Sequence, residues 1–272
     1  LGMLEELILH SKSILESRTI NQGYKLLALL RITIANLIQQ DFSTAFLNIN
    51  NVNKLINQGA IHAIEEEKNK KYLFNFAGFI NALYPLLDKE NKNTDIDKIP
   101  HIGESHCLSF AHQKLFISSQ QKKIQPVFII GGKAWHFAQH ENNKWKDSLK
   151  QQIINHTYSD QVLISFGEID CRKDEGILIH SIKKDKAISE VCEKTIKGYL
   201  DYMEEMLSLN YSKRYYFGIP APKKIQESHD DLDIKRIEMI KIYNSLLKKE
   251  VLSRGCFFLD VYELTSTKDG EN

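Results

Sequence analysis

The nine residues KIPHIGESH, at positions 98–106, place a short apolar run directly before a glycine, a carboxylate, a serine and a histidine. Four more short apolar runs follow along the chain, and several are rich in the Val, Ile, Phe and Tyr that suit buried strands. Segments with helical periodicity separate these runs. The alternation predicts an α/β fold with a five-stranded, mainly parallel sheet. The predicted strands are 98–102, 126–130, 161–166, 214–219 and 255–261, and the predicted helices are 108–118, 145–154, 187–209 and 234–252.

The amino-terminal third of the chain has a different pattern, because its apolar residues recur at the helical period. The polar segment 88–98, DKENKNTDIDK, then separates two regions. We therefore predict an all-α, helix-hairpin domain at residues 1–90 and an α/β domain at residues 98–272. The helix pairs resemble tetratricopeptide hairpins in architecture, without a clean repeat of roughly 34 residues. A helical scaffold, able to dock a protein partner, is the expected role of this first domain.

Composition excludes several classes of function. The 272 residues include 36 Lys and Arg against 35 Asp and Glu, so the formal net charge is +1 and we expect no nucleic-acid partner. No stretch approaches the roughly twenty apolar residues that span a bilayer, so no transmembrane segment is predicted. The four cysteines have no CxxC spacing, which is typical of reduced thiols and disfavours a zinc site. We expect a cytoplasmic protein.

Glycines and reactive or charged side chains directly follow the first three predicted strands. In parallel sheets the ligand crevice lies beyond the carboxyl ends of the strands, so these turns are expected to meet there. A serine beside glycine amides suits a nucleophile with an oxyanion hole, although a serine in such a turn is more often a helix cap. The three turns are GESH at 103–106, GGKAW at 131–135 and GEIDCR at 167–172.

These blocks carry a resemblance to a known family. GESH resembles the first block, usually Gly-Asp-Ser, of the SGNH or GDSL-type hydrolase superfamily, and FGEIDCR at 166–172 resembles a signature of a bacterial subgroup. GIPAP at 218–222 and FLDVY at 258–262 resemble its later strand ends. The resemblance implies a flavodoxin-like, five-stranded parallel sheet. It also implies a serine esterase or acyltransferase, without cofactor or metal, that acts on acyl esters, commonly acetyl esters, of a carbohydrate or glycan precursor.

The same resemblance implies roles for individual residues. Ser105 would be the nucleophile, and its own amide would form part of the oxyanion hole. The amide of Gly132, with Gly131 as the alternative, would complete that hole. The residues expected to contact substrate are Glu104, His106, Glu168, Asp170 and Arg172.

The sequence departs from the family pattern in three ways. Glu104 replaces the usual Asp, and Ile169 stands where the family offers an Asn side chain to the oxyanion. The Asp-x-x-His block that supplies the base after the fifth strand is not found, so the catalytic His and Asp are expected beyond Asn272. The alternative function is therefore a catalytically silent glycan- or protein-binding module with a helical docking domain.

Other side chains leave alternatives open. His136 and His140 have a spacing that can hold zinc, but Phe137 stands where an HExxH motif has its glutamate. Trp135 and Trp145 can stack on a sugar ring or simply pack. For the acidic residues after the third strand, an ion pair with Arg172 that stabilises the loop is the alternative to substrate binding.

Overall fold

The computed structural model describes residues 3–87, 96–117, 119–222 and 231–267. The chain divides into two compact units. The first, here called the helical unit, comprises Leu1–Ile96 and Ala111–Leu115. The second, here called the sheet unit, comprises Asp97–Phe110 and Phe116–Asn272. Of the predicted linker at 88–98, residues 88–95 lie outside the described residues.

The helical unit is built from amphipathic helices whose apolar faces pack together. Two of its helices begin at side-chain caps: Asn21 accepts from the Gly23 amide at 2.6 Å, and Asp41 accepts from the Thr44 amide at 3.1 Å. The second helix is the most deeply buried, and its Leu26 and Leu30 side chains are fully buried. The helices are α1 (Met3–Glu16), α2 (Gln22–Ile38), α3 (Phe42–Asn57) and α4 (Glu67–Leu83), with 3₁₀ turns at Ala60–Ala63 and Tyr84–Leu86.

A six-stranded sheet runs through the described part of the α/β region. Its strands are β1 (Lys98–Gly103), β2 (Lys114–Ile117), β3 (Gln120–Phe128), β4 (Gln161–Ser165), β5 (Lys213–Phe217) and β6 (Phe257–Leu259). Their order across the sheet is β2-β3-β1-β4-β5-β6. β1 pairs in parallel with β3 and with β4, and the pairs β4–β5 and β5–β6 are also parallel.

Helices cover the sheet and bury its apolar side chains. The main core joins Ile102 and Ile164 of the central strands to helix residues, and Phe166 contacts Phe137 with ring centroids 4.8 Å apart. The helices are α5 (Ala134–Ala138), α6 (Lys144–Asn155), α7 (Ile177–Lys184), α8 (Ile188–Leu207), α9 (Asp231–Ser253) and α10 (Val261–Thr265), with 3₁₀ turns at Ser105–Phe110 and Ile169–Cys171. No helix in the described ranges combines the length and apolar character that crossing a membrane demands.

The structure confirms an α/β fold preceded by helices, and it corrects the sheet. The predicted five-stranded parallel sheet is wrong, because β2 adds a sixth strand beside β3. The helix predicted at 108–118 is wrong for the same reason. Its first residues form a 3₁₀ turn, and the apolar residues of Lys114–Ile117 gain their backbone partners at the sheet edge instead of within a helix. The helices predicted at 145–154, 187–209 and 234–252 are present as α6, α8 and α9.

Candidate functional site

The turns after β1 and β4 lie next to each other at one edge of the sheet. The two strands pair in parallel, with Gly103 opposite Ser165, so their carboxyl ends stop at the same level. The chain passes from β1 to β3 on one side and then to β4 on the other, so the strand order reverses between β1 and β4. Open α/β sheets bind their ligands at such a reversal. The GESH and GEIDCR turns therefore flank the expected crevice.

Glu104 is the centre of the first turn. The residue is 1% exposed, and its Oε2 atom accepts hydrogen bonds from the Ser105 hydroxyl at 2.8 Å and from the His106 amide at 3.2 Å. Its Oε1 atom lies 2.7 Å from Nδ1 of His106. A buried carboxylate is stable only with partners of this kind. The Glu104 carboxylate thus holds both neighbouring side chains in place.

The carboxylate and the imidazole of this turn stabilise each other's charge. Burial disfavours the ionised form of Glu104, but the hydrogen bond and the charge of His106, together with the bond from Ser105, lower the pKa of this carboxyl. Burial likewise disfavours a charged His106, but the hydrogen bond and charge of Glu104, with the charge of Glu168, raise the pKa of the imidazole. The turn therefore favours the charged form of both partners, a carboxylate beside an imidazolium.

The Ser105 hydroxyl donates to this carboxylate and not to an imidazole. His106, the histidine next to it in sequence, has its Nδ1 atom on Glu104. No histidine of the described ranges is hydrogen-bonded to Ser105, so the proton acceptor in contact with this hydroxyl is Glu104. The predicted base beyond Asn272 lies outside the described residues.

Glu168 in the second turn is held by two arginines. Oε2 of Glu168 lies 3.0 Å from Nε and 2.8 Å from Nη2 of Arg172, and Oε1 lies 3.6 Å from Nη2 of Arg236 on α9. Arg172 also lies 3.5 Å from Glu175. The pair with Arg172 is the alternative that the sequence offered to substrate binding. Arg236 could not be predicted, because nothing in the pattern of α9 distinguishes this arginine from the other charged residues of the helix.

Asp170 lies in the same turn but serves another element. Its carboxylate is fully buried and accepts hydrogen bonds from the amides of Ala134 at 2.8 Å and Trp135 at 3.0 Å, the first residues of α5. Burial raises the pKa of Asp170 to about 6, although both amides and the charge of Lys133 act against the rise. In this structure, Asp170 therefore joins the turn after β4 to the start of α5, whereas the sequence predicted contact with substrate.

The glycines after β3 form a tight turn. The Gly132 amide donates to the Ile129 carbonyl at 3.0 Å, and a Cβ atom at Gly132 would lie 2.9 Å from the Phe166 ring. Gly131 is exposed and has φ +65°, a conformation that favours glycine. The packing and turn geometry account for both glycines. For the predicted oxyanion role, the Gly132 amide has to exchange its bond with Ile129 for one with the substrate.

A cavity of about 210 Å³ opens beside the two turns. Glu104, His106 and Glu168 are its charged or titratable wall residues on the side of the two turns, and its other polar lining residues are His101, Ser109, Ser165 and Thr265. Ser105 does not line the cavity. Its hydroxyl is hydrogen-bonded to Glu104, and Glu104 does line the cavity. The apolar lining includes Phe110, Phe166, Phe217, Ile219, Pro220 and Val261.

A second, larger cavity of about 680 Å³ lies along α5 and is lined in part by His136, His140 and Trp135. The His136 ring stacks on Trp145 with centroids 3.4 Å apart, and its Nδ1 atom accepts from the Lys133 amide at 3.1 Å. Burial, with the charge of Lys133, lowers the pKa of His136 to about 4. His136 and Trp145 therefore pack against each other, whereas Trp135 is 47% exposed.

Three side chains that line the 210 Å³ cavity have ligand atoms close enough to share a metal ion. One atom each from Glu104, His106 and Glu168 lies within 4.8 Å of the other two. Their charges are already balanced, since Glu104 pairs with His106 and Glu168 pairs with Arg172. A cation would have to displace these partners, so the arrangement fits an organic substrate better than a metal.

No family model matches this chain, and no curated protein does. The resemblance to SGNH hydrolases consequently depends on the short blocks at the strand ends. What the structure adds is their placement, with the first and third blocks on neighbouring parallel strands.

Proposed function

We propose that the sheet unit is an SGNH-type serine esterase or acyltransferase that acts on acyl esters of a carbohydrate or glycan precursor. The observation that carries this proposal is the position of Ser105, whose hydroxyl is bonded to a buried carboxylate at the strand-order reversal. The five parallel strands, β3-β1-β4-β5-β6, also follow the 2-1-3-4-5 order of a common class of doubly wound sheets.

The proposed reaction begins with attack by Ser105. Its Oγ atom bonds to the ester carbonyl carbon, the carbonyl electron pair moves to oxygen, and the hydroxyl proton passes to Oε2 of Glu104. When the carbonyl re-forms, the bond to the alcohol breaks and the alcohol takes the proton from Glu104. Water or an acceptor hydroxyl then attacks the acyl-serine by the same route, which gives hydrolysis or acyl transfer.

Glu104 is suited to this role in one respect and limited in another. Its lowered pKa keeps it ionised at neutral pH, so it is always ready to accept a proton. The same lowered pKa makes it a weaker base than an imidazole. We therefore expect slow turnover compared with that of a serine–histidine pair.

The charged side chains around the crevice support a carbohydrate as the alcohol part of the ester. Glu168 lines the cavity, and Arg172 and Arg236 contact its carboxylate. Carboxylate oxygens and guanidinium N–H groups of this kind bind sugar hydroxyls. Arg172 is partly exposed, so it is accessible to a polar ligand.

A silent binding module is the second candidate. It is favoured by the Gly132 amide, which is bonded to Ile129 instead of being free for an oxyanion, and by the weak base next to Ser105. In that function the same crevice binds a glycan without cleaving it.

Hydrolysis of 4-nitrophenyl acetate, 4-nitrophenyl hexanoate and O-acetylated monosaccharides tests the proposal. The wild type is expected to turn over at least one of them, and Ser105→Ala is expected to fall to the buffer rate. Ser189→Ala, which changes an exposed serine of α8, is the matched control and should retain the wild-type rate. Wild-type turnover by folded Ser105→Ala would overturn the proposed nucleophile. Sugar binding without turnover by the wild type would favour the binding module.

A further inference from the structure

His101 is a buried histidine without a hydrogen-bond partner in the described part of the chain. It lies on β1, is fully buried, and neither of its ring nitrogens is paired. Its ring stacks on Phe217 with centroids 4.8 Å apart. Burial, with the charge of His106, lowers the pKa of His101 to about 3, so the imidazole is neutral and offers one donor and one acceptor.

Ser165 is a second unpaired polar side chain beside it. It ends β4, is 7% exposed, and its Oγ atom has no hydrogen-bond partner among the described residues. His101 and Ser165 both line the 210 Å³ cavity next to Glu104. Unpaired buried polar groups are rare and destabilising, and two of them in the wall of one cavity indicate a ligand with a polar atom.

The size of this cavity limits what can fill it. Its volume of about 210 Å³ is many times the space that a single water molecule needs. An acetyl group fills only a small part of that space, whereas a chain of several carbons fills most of it. The apolar walls around Phe110 and Phe217 suit such a chain.

We infer that the cavity binds the acyl chain of the substrate, that this chain has several carbons, and that a neutral polar group on it, such as a hydroxyl, pairs with His101 and Ser165. The inference rests on the proposed function, because it assigns this cavity to the acyl part of the ester that Ser105 attacks. A charged group on the chain is disfavoured, since the charges of Glu104 and Glu168 are already balanced by His106 and Arg172 and the buried, neutral His101 gives no charge to balance another.

Binding of uncleavable acyl amides tests the inference without depending on catalysis. Isothermal titration calorimetry measures the binding of hexanamide and of the four isomers 3-, 4-, 5- and 6-hydroxyhexanamide to the wild-type chain and to Ser105→Ala. At least one hydroxy isomer is expected to bind about three- to tenfold more tightly than hexanamide, which is the effect of one additional neutral hydrogen bond. The preference should be the same in Ser105→Ala.

Variants of the cavity show which side chains cause the tighter binding of the hydroxyhexanamide. His101→Phe keeps an aromatic ring but removes both nitrogens, so it should bind hexanamide and lose the preference for the hydroxy isomer. Ser165→Ala, a smaller change, should weaken the preference if His101→Phe does not fold. His140→Phe is the matched control, because His140 is exposed in the other cavity, and it should keep the preference.

The outcomes separate this inference from the proposed function. Equal binding of hexanamide and every hydroxy isomer would overturn the inference, and so would a preference that survives in both folded pocket variants. The proposed function fails instead if the wild type cleaves no ester. A hydroxy preference that depends on His101 and Ser165 would still support a pocket for this ligand class in that case.

Discussion

The turn after β1 and the turn after β4 each bury a carboxylate, yet the two carboxylates have opposite pKa shifts. Glu104 is paired with an imidazole and a hydroxyl, and its pKa is lowered. Asp170 accepts two backbone amides in a fully buried position, and its pKa is raised to about 6. The partner, more than the burial, decides the outcome, because a nearby cation offsets desolvation better than two neutral amides do.

The difference assigns different tasks to the two turns. The first holds a serine hydroxyl and an imidazole against one carboxylate at the crevice. In the second turn, Asp170 is hydrogen-bonded to the start of α5. Glu168 of the same turn lines the crevice and pairs with Arg172. The comparison therefore predicts that chemistry depends on Glu104, whereas Asp170 acts mainly on stability.

The largest expected effect is on catalysis. Glu104→Gln removes the proton acceptor of Ser105, so ester turnover should fall about a hundredfold or more, the usual contribution of a general base. Asp170→Asn, the matched amide substitution in the other turn, should stay within about threefold of the wild-type rate. Initial rates on the best nitrophenyl ester measure both. Equal losses in the two folded variants would remove the distinction between the turns.

The next effect is on the pH dependence of stability. The folded-state pKa of Glu104 lies below its ordinary value of 4.5, so the stability that this group contributes is present above pH 4.5 and is lost as the pH falls through its folded value. The raised pKa of Asp170 acts in the other direction, and its contribution falls as the pH rises from 3.8 to about 6. At 1.4 kcal/mol per pKa unit, the Asp170 change is about 3 kcal/mol.

Urea unfolding of the wild type, Glu104→Gln and Asp170→Asn between pH 3 and pH 7 measures how the free energy of unfolding changes with pH for each carboxylate. Relative to Asp170→Asn, the wild type should lose stability as the pH rises through this range. Relative to Glu104→Gln, it should gain stability as the pH rises to 4.5. Slopes of the same sign for the two variants would contradict the opposite pKa shifts.

The smallest expected effect concerns Arg172. Its pair with Glu168 is partly exposed and screened by solvent, so Arg172→Ala should lower the free energy of unfolding by less than about 1 kcal/mol. Arg236 still faces Glu168 in that variant. A loss of several kcal/mol in thermal or urea unfolding would show that Arg172 holds the second turn together and is not available to a substrate.

The strand-end blocks made it possible to predict from sequence that the turns of the candidate site lie side by side. GESH and GEIDCR follow short apolar runs, and because parallel strands end at one edge, the two turns could be placed together before the structure. The sixth strand could not be predicted in this way, since the apolar residues of Lys114–Ile117 fit a helical pattern and become a strand only through pairing at the sheet edge.

The side-chain partners were less accessible to sequence reasoning. The link from Asp170 to α5 joins residues 35 and 36 positions apart, and no local pattern indicates it. His101 sits within an apolar strand, where a lone histidine reveals neither its burial nor its unpaired nitrogens. Both features depend on how the strands and helices pack, so the structure was needed to find them.

Labelling with a fluorophosphonate probe, followed by mass spectrometry of the modified peptide, tests the central claim most directly. The account predicts that the folded wild type is labelled on Ser105, that Glu104→Gln is labelled more slowly, and that Ser105→Ala is not labelled at this site. Ser189→Ala should be labelled like the wild type. A folded wild type that stays unlabelled, or that is labelled only at another residue, would contradict an activated serine in the turn after β1.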